Sequence, residues 1–171
     1  MPAPEDFDEI YTDELKDLWS ANDQMNRVIK KLTPKASDPK LKEMLQKSHD
    51  GIEKHTSVLK ELIAAAGEKT TKEHCKGMEG LVAEATKHCI EEAPEKGPLL
   101  DVALITQFQR MTHYGLAGFG TAAALARSLG LDDDAKQLSD AVAEMYDTDE
   151  IMSQIGEEAV NNEAAADGEE A

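Results

Sequence analysis

Residues 7–32 read FDEIYTDELKDLWSANDQMNRVIKKL. Tyr11, Leu15, Leu18, Met25, Ile29 and Leu32 recur in alternating steps of four and three, and Asn22 takes the one remaining slot of the series. That period lines a single face of an α-helix. A seam this long on an isolated helix would lie in water, so the helix needs partners. Pro34 stops it. Beyond it, Asp38 is a capping residue with Pro39 in the first turn, a favourable helix start. The second stripe is Leu41, Leu45, Ser48, Ile52, His55, Leu59, Leu62 and Ala66, with Gly67 placed just past its end.

A short amphipathic segment follows, with Met78, Leu81, Val82, Ala85 and Cys89 on one face, and Pro94 and Pro98 bracket the next loop. A third long helix from about Leu99 carries Ile105, Phe108, Thr112, Gly115, Phe119, Ala122, Ala126 and Leu129 and ends at Gly130. Asp132 to Asp134 suit the start of a fourth, whose stripe is Leu138, Val142, Met145, Asp149, Met152 and Ile155. The short links make two antiparallel hairpins, and the long middle connection with its small helix carries the chain from one to the other. This predicts an all-α, ferritin-like four-helix bundle with a short extra helix in the crossover. The bundle is expected to fill residues 1–159, and residues 160–171, rich in Ala, Asn, Gly and acids without a base, to form an acidic disordered tail.

Composition narrows the function. The 171 residues carry 18 basic and 35 acidic side chains, a formal charge of −17, which keeps a chain soluble and repels nucleic acid and anionic membranes. No apolar run approaches the ~20 residues of a membrane span. The N-terminus lacks the basic and apolar regions of a signal peptide, so a cytoplasmic location is expected. Cys75 and Cys89 are too few for a disulfide framework and are expected as free thiols.

The segments Glu14 to Ala21, Cys75 to Leu81, Ala103 to Ile105, His113-Tyr114, Gly120-Thr121, Leu125-Ala126 and Leu129 to Leu131 resemble the YciE/YciF group of ferritin-like bacterial proteins, in order and at matching spacing. The resemblance spans about Phe7 to Ala159. It implies a ferritin-like bundle, a homodimer and a link to stress. It also implies mid-bundle carboxylates like those of di-iron proteins: glutamate at 22, glutamate at 51 with Gln or His at 55, glutamates at 112 and 115, and glutamate at 145 with Asp at 149. This chain has Asn22, Gly51, His55, Thr112, Gly115, Met145 and Asp149. Only His55 and Asp149 keep the pattern. A metal pair needs bridging anions to offset its charge, and Asn, Thr, Gly and Met supply none. No cofactor is therefore expected, with iron or manganese as the alternative.

Residual ligands, if any, would be His55, Asp149, Glu53 and Glu144. The bland readings are a hydrogen-bonded core histidine with Asp149 as its partner, and Glu53, Glu144, Asp23, Asp50 and Asp147 as solvated flank charges. His74-Cys75 and His88-Cys89 repeat a pair of zinc-type ligands, but adjacent helical residues point about 100° apart and do not make a tetrahedral set. Gly115, Gly118 and Gly120 lack the preceding strand of a phosphate loop. They are expected to admit a close neighbouring helix, across a dimer. Met25, Met44, Met78, Met111, Met145 and Met152 are expected as adaptable core fillers. Ser48 and His55 stand two turns apart, too far for a nucleophile and its base. The chain reads as a non-catalytic, stress-associated structural or interaction protein. An iron-handling or oxidoreductase-like protein is the runner-up. The protein partner is unspecified.

Overall fold

The computed structural model describes residues 3–69, 71 and 73–169, with side chains to residue 161. In chain order it holds α1 (Phe7–Leu32), a 3-10 turn (Thr33–Lys35), α2 (Pro39–Ala65), α3 (Lys76–Thr86) running into a π-turn (Lys87–Glu91), α4 (Pro98–Ser128) and α5 (Asp132–Glu169). Local chemistry sets the boundaries. Asp6 accepts the Glu9 N–H at 2.9 Å, and Asp38 accepts those of Lys40 and Leu41 at 2.6 and 3.1 Å. Gly67 and Gly130 follow α2 and α4 at a φ of 76° each, the left-handed conformation that closes a helix C-terminus.

α1 packs on α2 and α4, and α5 packs on the same two helices. Contacts at the ends fix the directions. Tyr11 of α1 donates to Asp134 of α5 at 3.0 Å, and Lys40 of α2 meets Glu158 of α5 at 2.9 Å. Ser37, between α1 and α2, meets Asp101 in the first turn of α4. Every neighbouring pair in the bundle is therefore antiparallel. Asp101 is a buried anchor for this corner, accepting from Ser37 N–H, Ser37 Oγ and Asp38 N–H at 2.8, 2.5 and 2.9 Å.

The crossover runs back along the bundle, and α3 lies on α1 and α4. A polar chain pins it there. Gln24 Nε2 donates to the Cys75 carbonyl at 2.9 Å, and Cys75 N–H donates to Ser20 Oγ at 3.0 Å. Tyr114 donates its hydroxyl proton to Asp17 at 3.0 Å, which leaves its oxygen to accept from the Cys75 thiol, also at 3.0 Å. Cys75 Sγ meanwhile caps α3 by accepting the Met78 N–H at 3.4 Å. Both cysteines are free and buried, and burial pushes each thiol up, so they stand as neutral packing groups. Their neighbours His74 and His88 face outward onto Glu79 and Glu84 at 3.0 and 3.1 Å.

The core is in two parts. One, at the α1 N-terminal end, gathers Tyr11, Leu15, Leu18, Leu59, Phe119 and Leu138. The other gathers Met25, Ile29, Leu45, Phe108, Met111 and Met152 with the inner face of α3. The interruption of each seam falls between them.

One expectation is corrected. α5 passes Val160 and continues to Glu169, because the stretch holds Ala164 to Ala166 among acids and no proline to end it; residues 170 and 171 lie outside the described residues. Of the three α4 glycines, Gly115 and Gly118 admit helices of the same chain, and a Cβ on Gly120 would meet nothing within 4 Å. A Cβ on Gly118 would stand 2.6 Å from Leu18 Cδ2 and 2.8 Å from Glu14 Oε1, and one on Gly115 would stand 3.4 Å from Met145 Sδ.

Candidate functional site: a cavity at the waist of the bundle

At the level where the two cores part, the four helices enclose about 230 Å³ between them. Asn22 comes from α1, Gly51 and His55 from α2, Thr112 and Gly115 from α4, and Met145 from α5, so six of the seven mid-bundle positions singled out in the sequence converge on one cavity and Asp149 does not. The walls are otherwise apolar, with Ile52, Phe108 and a set of methionines. Met78 reaches in from α3. Lys47, Ser48, Glu144 and Thr148 form the mouth between α2 and α5.

His55 sits at the inner edge of this mouth. Its ring lies 5.8 Å from that of Phe119, and its Nε2–H donates to Glu144 Oε2 at 2.9 Å. The imidazole is only 8% exposed while its partner carboxylate is 46% exposed, so the pair straddles the boundary with solvent. Burial pushes the His55 pKa below its ordinary value of 6.5, and the nearby Glu144 offsets this only in part. Glu144 is held below the usual carboxylate range by Lys54 first and by His55 second.

The expected pairing of His55 with Asp149 is therefore corrected. Asp149 lies five residues from Glu144, about 140° round the helix. It faces α4, where its Oδ2 accepts from His113 Nε2 at 3.0 Å and its Oδ1 is buried without a partner. Glu53 is directed to the α1 side, within 3.8 Å of Lys30 and 3.5 Å of His49. His49 is a second buried histidine that lies on no apolar stripe, and nothing but its residue type marks it along the chain.

The donor set does not fit a bridged metal pair. Such a pair brings about four or more positive charges into a low-dielectric core, and carboxylates must offset them. Here the deep positions are an amide, a hydroxyl, two glycines and a thioether. The one imidazole is committed to a carboxylate that already serves a lysine. Among the described residues no three His, Cys, Asp or Glu side chains stand together to hold one ion. Thr112 supplies a further mark of an incomplete site: its Oγ1 is buried and has no hydrogen-bond partner.

A family described as a domain of unknown function, DUF892, matches residues 6–165. The chain belongs to that family. Within it, YciF of Escherichia coli (strain K12) is 32% identical over 162 residues, which cover 92% of this chain and 95% of YciF. The crystal structure of the E. coli stress protein YciF superposes with a TM-score of 0.85 at 28% identity, covering 92% of this chain and 99% of that one. YcfI, a proposed structural protein from Rhodopseudomonas palustris, shares the fold with a TM-score of 0.82 at 24% identity, covering 87% of this chain and 94% of its own. The DUF892 bundle is thus the ferritin-like one that the stripes predict, crossover helix included.

Sequence reasoning missed Met44, Lys47 and Thr148 at the site. Lys47 and Thr148 lie off the apolar seams, and no residue type marks them out. They become site residues only because α2 and α5 stand apart beside Gly51.

Proposed function

We propose that this DUF892 protein is a non-catalytic, stress-associated structural or interaction protein in which the mid-bundle metal site of ferritin-like bundles has lost its ligand set. The observation that carries this reading is the pairing at the waist. The one imidazole there is bonded to the one carboxylate, and neither has a second anionic neighbour in the cavity. The stress association rests on similarity to YciF, whose crystal structure is described as that of a stress protein. The experiment is elemental analysis of protein purified after growth with added iron and manganese. Far less than one metal per chain is expected. About two per chain would overturn the reading in favour of an iron- or manganese-binding protein.

The proposal includes a homodimer in the cytoplasm. No helix of the described residues is long and apolar enough to cross a membrane. On α4, Ala117, Gly120, Thr121 and Ala124 form an outward row of small residues against which another helix could lie closely. With 18 basic against 35 acidic side chains, self-repulsion should oppose association, so added salt should tighten the dimer. Light scattering that finds a strict monomer at every salt concentration, or a closed many-subunit shell, rules this assembly out.

A further inference from the structure

We propose that the waist cavity is a binding site for a small uncharged aromatic molecule carrying one hydroxyl group. The inference rests on the reading that no metal pair fills this level. Three observations carry it. The first is size and lining. An engineered apolar cavity of about 150 Å³ takes up benzene, and the waist offers about 230 Å³, room for a substituted ring. Thioethers and Phe108 favour an aromatic guest, since sulfur contacts a ring edge well.

The second observation is the orphaned hydroxyl. Thr112 is 4% exposed, lines the cavity and bonds to nothing. A buried unpaired hydroxyl costs free energy that a guest bearing one hydroxyl would relieve. The deep walls bear no charge, and Lys47 and Glu144 are confined to the mouth, so a charged guest would be desolvated without a partner.

The third is Gly51. A Cβ there would meet nothing within 4 Å, so no packing demands a glycine, yet glycine inside a helix is about 1 kcal/mol less favourable than alanine. The effect of its missing side chain is an open entrance between α2 and α5.

The test is calorimetric titration of the full chain in chelator with p-cresol and with p-xylene, which has the same shape with a methyl in place of the hydroxyl. Saturable binding of one p-cresol per chain is expected, about tenfold tighter than p-xylene. Gly51→Leu closes the entrance and favours the helix, so it should keep the fold and lose at least about tenfold in affinity for both probes. Thr112→Val should leave p-xylene binding intact and abolish the preference for p-cresol. Absence of binding, binding unchanged in Gly51→Leu, or a preference unchanged in Thr112→Val overturns the assignment. Metal content measured on the same preparation separates the two readings. Metal-free protein that ignores both probes defeats the aromatic site alone, and protein that retains two metals in chelator defeats the metal-free reading as well.

Discussion

His55 shows how one residue can satisfy a sequence pattern while its chemistry depends on a neighbour the pattern does not supply. The stripe places it on the inner face of α2, and the structure keeps it there, but its partner is Glu144 and not Asp149. Periodicity identifies which residues share a face; it does not resolve which of two acids, about 140° apart on a facing helix, reaches across. The pairing has a pH consequence. Burial lowers the His55 pKa, so the unfolded chain takes up a proton before the folded chain does as pH falls. The stability tied to neutral His55 is full above the ordinary value of 6.5 and is lost as pH falls through the lowered folded value. Glu144 acts in the same direction at more acidic pH, since its pKa is also lowered. Melting temperature should therefore decline from pH 7 toward pH 5, and His55→Gln should show a shallower decline. Parallel profiles for parent and variant would mean that His55 titrates as it does in the unfolded chain.

Among the helices, what holds α3 is as much a fit of shapes as a hydrogen-bond chain. A Cβ on Gly77 would stand 2.6 Å from Tyr114 Cε2, and that ring is rigid, with its hydroxyl engaged by Asp17 and Cys75. Gly80, one turn on in the same helix, meets nothing within 4 Å. Gly77→Ala should therefore destabilise the protein by about 1–3 kcal/mol through overpacking, while Gly80→Ala should stabilise it by up to about 1 kcal/mol through helix propensity. Urea denaturation of both variants distinguishes a steric requirement from a general helix effect, since equal shifts would leave Gly77 without its packing role. The long helices were legible because seam, cap and stop agree at each boundary: Pro34, the Asp38-Pro39 start and Gly67 all act where the structure places them. The far end of α5 was not legible, because its composition suits a solvated tail and a helix alike. Ser20 and Gln24 were also missed. They lie off the apolar stripe of α1 and are buried only because α3 covers them.

For the whole molecule, the division of the core into two parts joined through a partly empty waist decides what a metal-free bundle gains. Asn22, Thr112 and Gly115 are buried at that level, Gly51 and Met145 half-buried. Carboxylates there would be anions with little water and no counter-ion, and each would raise its pKa or repel the next. The combined variant Asn22→Glu, Gly51→Glu, Thr112→Glu, Gly115→Glu and Met145→Glu should thus lose several kcal/mol of stability in chelator at neutral pH. The matching glutamine variant controls for volume and for the loss of two helical glycines, because it differs only in charge. The glutamate form should melt below the glutamine form in chelator and approach it on acidification, as the crowded acids take up protons. Added manganese or ferrous iron should raise the melting temperature of the glutamate form alone, since only it offers anions enough to offset two ions. If the two variants melt together in chelator, the waist is wet enough to solvate five carboxylates. Metal-free stability would then give no account of why this chain carries Asn, Gly, Thr, Gly and Met at that level.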